Sequence, residues 1–63
     1  MNRDQIMKAA EKMAKAGNGI MKAFYNNLTT MRDSAPERYE SLMAVMEQKN
    51  FQTEDELRAY VCE

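Results

Sequence analysis

The sequence predicts an all-α fold for this chain of 63 residues. Ala, Met, Lys and Glu are abundant, and all four favour helices. No alternating run of β-branched residues indicates a strand, and the apolar residues recur at helical spacing instead. We expect a single helical domain over residues 1–63, a small helical hairpin or bundle with helices over about residues 3–32, 35–49 and 54–62. In it, two shorter helices pack back on one long N-terminal helix.

The long first helix is predicted from its cap and from its apolar stripe. Asn2 is a favourable N-cap, and Gln5 follows three residues later as its capping-box partner. At the helical step, the apolar residues of this segment fall within an arc roughly 140° wide. The stripe keeps its phase across the glycines at 17 and 19, which together cost a helix about 2 kcal/mol. We therefore expect one helix bent near Gly17–Gly19, with a break there as the alternative.

The ends of the two shorter helices follow from local capping signals. The tetrapeptide SAPE at residues 34–37 supplies a serine N-cap, a proline in the first turn and a glutamate at the capping-box position. Asn50 suits a left-handed cap after the second helix. TEDE at residues 53–56 predicts a capping box for the last helix, and its acids suit the positive end of the helix dipole. Phe51 should fill the corner between the two helices.

The composition argues against catalysis and against metal binding. The chain has no histidine to act as a base near neutral pH, and Cys62 is its single cysteine. A structural zinc site would have almost no ligands, and we expect no cofactor. The lone thiol favours a reducing cytoplasm, and no apolar run approaches the roughly 18 residues of a membrane span. We expect a protein that is not an enzyme.

The apolar stripe of the first helix predicts self-association. A chain this short buries only about 60% of its unfolded surface, and two short helices cannot cover the whole stripe. Two copies could pair antiparallel and cross where glycine lets the backbones approach closely. We expect a homodimer whose interface consists of Met7, Ala14, Gly17, Met21, Tyr25 and Leu28.

Charge is divided between the two halves of the chain. Residues 1–32 carry six basic and two acidic side chains, whereas residues 33–63 carry three basic and eight acidic ones. We expect the halves to attract each other before either meets an outside partner. Four lysines share one side of the first helix and are the candidate nucleic-acid contacts: Lys8, Lys12, Lys15 and Lys22. A solvated face is the simpler interpretation, because the acidic half competes for these lysines.

A DNA-binding helix-turn-helix is not indicated. That motif needs a glycine in its turn and a small residue four positions earlier. Met13 precedes Gly17 by four residues and Lys15 precedes Gly19 by four, so neither frame fits.

The whole chain resembles the small helical proteins encoded in the early exo–xis region of lambdoid bacteriophages. The segments that carry the resemblance are MNRDQIMKAAEKMAKAGNGIMKAF at the start and FQTEDELRAYVCE at the end. The likeness is one of length, composition and character, with no defined motif from which site residues could be carried over. It implies an early-expressed, non-enzymatic phage protein that affects lytic versus lysogenic development or host physiology.

The favoured function is that of a cytoplasmic regulatory or adaptor protein that binds another protein, whose identity the sequence does not specify. The first alternative is a nucleic-acid-binding accessory protein that uses the four lysines. The second is an amphipathic helix attached to a membrane surface. The apolar face of the first helix has a better use in packing, so we expect no membrane partner.

Overall fold

In a computed structural model, residues 1–63 form four α-helices and no strand. The helices are α1 (Arg3–Lys15), α2 (Gly19–Ser34), α3 (Pro36–Gln48) and α4 (Glu54–Cys62). The predicted all-α class is therefore confirmed. α1 and α2 share the most extensive helix–helix contact, and both α3 and α4 pack against the two of them.

The prediction of one continuous helix over residues 3–32 is wrong, because the chain turns after α1. Gly17 has φ = 100°, a left-handed conformation that glycine adopts without steric cost. Its N–H donates to Ala14 O at 3.2 Å and that of Asn18 donates to Met13 O at 3.1 Å, which is the Schellman pattern. The Asn18 side chain then caps α2 by accepting from the Met21 N–H at 3.0 Å. The in-phase stripe does not require a straight helix, since folding α1 back on α2 brings its two halves face to face.

Most of the other predicted helix ends are confirmed. Asn2 caps α1 in the expected capping box, and Asn50 adopts φ = 55° just beyond α3. Thr53 caps α4 by accepting from the Glu56 N–H at 3.2 Å. The carboxylate of Glu56 accepts from the Gln52 N–H at 2.9 Å, so it reaches one residue farther back than a capping box requires.

Ser34 is not the N-cap that we expected for α3. α2 continues through Ser34, whose hydroxyl donates to Thr30 O at 2.8 Å. Ala35 alone separates the two helices, and it caps α3 without a side-chain hydrogen bond. Pro36 opens α3 at its first turn, as predicted.

The core contains at least one side chain from every helix. Phe51 fills the corner between α3 and α4, as expected, with its ring centroid 5.4 Å from that of Tyr60. None of the four helices has the length and apolar character needed to cross a bilayer. The buried core residues are Ile6, Ala9, Ala10, Met21, Leu28, Tyr39, Met43, Met46, Phe51 and Leu57.

Candidate functional surfaces

The expected dimer interface is not a single surface in the folded chain. Met21 and Leu28 are only 0% and 1% exposed, so these two candidates belong to the core and the prediction of them as surface residues is wrong. Because the chain turns at residue 17, α1 packs against α2. It covers the part of the apolar stripe that the two short helices do not reach. The remaining candidates are partly buried or exposed at the α1–α2 hairpin: Met7, Ala14, Gly17 and Tyr25.

The contacts between α1 and α2 show how the two helices align. The Tyr25 hydroxyl donates to the Glu11 carboxylate at 2.9 Å. This hydrogen bond, together with desolvation, raises the pKa of Tyr25. Ala14 and Lys22 line the same groove as this pair. Residues 11 and 25, like residues 14 and 22, are equally far from Asn18 along the chain, so the two helices run antiparallel about that residue.

The candidate lysines line two separate grooves. Lys8 and Lys12 line a groove of about 610 Å³ between α1 and the α3–α4 connection. Lys15 and Lys22 line a smaller groove of about 310 Å³ between α1 and α2. Each groove also contains a glutamate: Lys12 lies 3.4 Å from Glu54, and Lys15 lies 3.7 Å from a carboxylate of α1. Two of the four lysines are therefore already paired within the chain.

An ionic cluster ties the start of α1 to α3. The backbone N–H of Arg3 donates to Glu47 Oε2 at 2.9 Å, and Arg3 Nη2 donates to Glu47 Oε1 at 3.1 Å. Arg3 Nη1 also pairs with the carboxylate of Glu40. We call these three residues the Arg3 clasp. Together with Lys12 and Glu54, the clasp confirms that the basic first half and the acidic second half attract each other.

The Arg3 clasp shifts the acid–base properties of its members. Hydrogen bonds from the Arg3 side chain, and then from its backbone N–H, lower the pKa of Glu47. Hydrogen bonds to Glu40 and Glu47 raise the pKa of Arg3. Arg3 stays charged throughout, so the acid sensitivity that we expect of the clasp comes from Glu47.

We expect the clasp to stabilise the fold above the ordinary Glu47 pKa of 4.5 and to lose that contribution as the pH falls below it. The lowered pKa means that the unfolded state binds more protons in this range, so acid favours unfolding. Urea unfolding midpoints measured at about pH 7 and about pH 3 should differ less for Glu47→Gln than for the wild type. Glu37→Gln changes an exposed α3 carboxylate outside the clasp and is the matched control. Equal acid losses in the wild type and Glu47→Gln would contradict the assignment.

One edge of α3 carries the half-buried Leu42 and the exposed Val45 between two basic residues. Arg38, Leu42, Val45 and Lys49 follow one another at spacings of four, three and four residues, which places them in line along the helix. Val45 is 47% exposed. Tyr60 of α4 is 48% exposed, and the Lys49 ammonium lies 5.3 Å from its ring centroid. We call these five residues the α3–α4 patch.

The α3–α4 patch was not predicted as a surface. Tyr60, at apolar spacing from the buried Leu57 on α4, is exposed, and Val45 lies beside the buried face of α3. Neither Arg38 nor Lys49 forms an ion pair within the chain. The spacing of Arg38, Leu42, Val45 and Lys49 was the available signal.

Comparisons with known proteins do not assign a function to these surfaces. No family model, no curated protein and no solved structure matches the chain. No group of three or more His, Cys, Asp or Glu side chains is placed to hold a metal ion.

Proposed function

We propose that the chain is a small non-enzymatic regulatory or adaptor protein that binds another protein through the α3–α4 patch. In agreement with its resemblance to proteins of the phage exo–xis region, we propose that it acts early in infection, in the host cytoplasm. Its partner would then belong to the host or to the control of lytic and lysogenic development.

The observation that carries this proposal is the exposure of Val45 and Tyr60 on either side of Lys49, which follows Val45 by one helical turn and whose ammonium lies 5.3 Å from the Tyr60 ring centroid. Ile20, Val45 and Tyr60 are the exposed large hydrophobic residues of the chain, and two of them share the patch. Tyrosine is enriched among the residues that dominate binding energy at protein interfaces. The Tyr60 ring contacts that of Phe51, and the Lys49 ammonium lies over it. Contacts that pre-order a side chain lower the entropy lost on binding.

The charges of the α3–α4 patch indicate the chemistry of the partner. Arg38 and Lys49 lie on either side of Leu42 and Val45, and neither has a carboxylate partner in the chain. A complementary surface would present apolar side chains flanked by acidic ones, as one face of an amphipathic helix does.

Capture from host lysate with paired variants tests this proposal. The affinity tag belongs at the C-terminus, because the Met1 amino group donates to Phe51 O at 2.7 Å. We expect Val45→Asp and Tyr60→Ser to lose a protein that the wild type retains. Ile20→Asp, at a residue 56% exposed and outside the patch, is the control and should retain it. Retention by all variants would show that the patch is not the binding surface.

Nucleic-acid binding is the second candidate, favoured by the placement of Lys8 and Lys22. Each lines a groove with another lysine, and neither forms an ion pair. If the captured material is nucleic acid, Lys8→Glu with Lys22→Glu should release it while the patch variants keep it. Binding would also fall steeply with salt, since each phosphate contact releases counterions.

A further inference from the structure

We propose that α1 is exchanged between two copies of the chain. In this dimer the turn at residues 16–18 straightens, and α1 and α2 join into one helix. The α1 of each copy then packs on α2, α3 and α4 of the other. The partner is a second copy of this chain, and the surface it uses is the one that α1 covers in the closed monomer.

The phase of the apolar stripe permits the exchange. In the closed chain, the stripe residues of α1 and α2 face each other across the hairpin. Because the stripe stays in phase through residues 16–18, the same side chains lie on one side of a straight helix. Here the open form presents a complete apolar face to a partner helix.

The antiparallel alignment supplies the symmetry that the dimer needs. Glu11 and Tyr25 are bonded in the closed chain and are equally far from Asn18. Ala14 and Lys22, which line one groove, have the same relation. Two straight helices crossing antiparallel at residue 18 therefore bring these pairs together between copies. Because a two-fold axis at the crossing relates the two copies, each contact occurs twice.

The turn itself offers little resistance to opening. Ala16, Gly17 and Gly19 are exposed, and a Cβ built on either glycine would meet no atom within 4 Å outside its own stretch of chain. Straightening loses the Asn18 cap and the Schellman bonds, and it gains helical hydrogen bonds through the same residues. Glycine at the crossing also leaves room for the two backbones.

The ion pairs that α1 forms with α3 and α4 would also form in the exchanged dimer. Arg3 would pair with Glu40 and Glu47 of the other copy, and Lys12 with its Glu54. The contacts of the dimer are thus those of two monomers, and protein concentration decides between the forms. Short hinge loops of this kind favour such exchange.

Two glycine variants test the hinge. Gly17→Ala strains the positive φ of the closed turn but fits a straight helix, so it favours the dimer. Two hinges open per dimer, and we expect sedimentation equilibrium to give a dimer Kd at least ~10-fold lower than that of the wild type. Gly19→Ala is the matched control, because residue 19 is already helical with open space around it, and its Kd should not change. A monomeric Gly17→Ala that keeps its helical circular dichroism would overturn the proposal.

A charge exchange separates swapped dimers from surface dimers. In the Gly17→Ala background, one chain carries Arg3→Glu and the other Glu47→Arg, so each alone has like charges facing at this contact. In a swapped heterodimer, both contacts between positions 3 and 47 join opposite charges. Native mass spectrometry of the mixture should show heterodimer in excess of random pairing. Random pairing would mean that α1 stays with its own chain, and it would overturn the exchange.

Discussion

Met21→Lys is expected to unfold the chain. Met21 is 0% exposed, and no carboxylate is buried in the core to neutralise an ammonium group there. Burying an unpaired charge costs several kcal/mol. A single core in a domain of this size supplies only about 3–5 kcal/mol of net stability. Far-ultraviolet circular dichroism at 25 °C should therefore show loss of most helix, whereas we expect the wild type to keep its helical signal at that temperature and to lose it in a cooperative transition on heating.

Ile20→Lys is the matched control for this prediction. It makes the same change one residue earlier in α2, at a side chain that is 56% exposed. Its stability should stay within about 0.5 kcal/mol of the wild type, because exposed substitutions rarely cost more. A Met21→Lys chain that melts like Ile20→Lys would place Met21 on the surface, where the sequence alone had put it.

The helix ends could be predicted from the sequence because caps are local. Asn2 and Thr53 accept hydrogen bonds from backbone groups three residues away, and such bonds depend little on the rest of the fold. Asn50 adopts its left-handed conformation for an equally local reason. The prediction of Ser34 as an N-cap was wrong because α2 continues through Ser34, whose hydroxyl donates to a preceding carbonyl of that helix. Ser34 is therefore the last residue of α2, and Ala35 takes the N-cap position of α3.

The break between α1 and α2 also had a local signal, which the apolar stripe outweighed. Glycine followed by asparagine suits a Schellman cap followed at once by a new N-cap, and Gly17 and Asn18 form that pair. The phase of the stripe cannot distinguish a straight helix from a hairpin closed on itself. Both bury the same residues, one against a second copy and the other within the chain.

The candidate surfaces were harder to predict because exposure is set by packing between helices. Met21 and Leu28 were assigned to an interface by estimating how much stripe two short helices could cover. That estimate is wrong because α1 also packs against α2 and covers part of the stripe there. Val45 and Tyr60 carry apolar side chains at helical spacing, yet both lie at the edge of their helix contacts. Periodicity identifies an apolar face but not the width that its neighbours cover.

Leu57→Ala is expected to release α4 from the rest of the fold. Leu57 is the buried residue of this nine-residue helix, and it is 0% exposed. Truncation of a buried leucine to alanine costs about 2–5 kcal/mol. An isolated helix shorter than roughly 12 residues is barely stable in water. Once undocked, α4 should therefore lose its helical hydrogen bonds, and hydrogen exchange should show its amides unprotected in the variant.

Arg58→Ala is the control for this prediction, since Arg58 is exposed on the same helix and pairs only with Asp55 at 3.7 Å. That contact is worth less than about 1 kcal/mol, so α4 should stay protected. In Leu57→Ala, Tyr60 leaves the α3–α4 patch together with α4, while Val45 stays in place on α3. Under the proposed function, the variant should therefore fail to retain the protein that the wild type captures, even where the amides of α1, α2 and α3 keep protection. Protected α4 amides in Leu57→Ala would mean that Phe51 and the Thr53 cap hold the helix without its buried leucine.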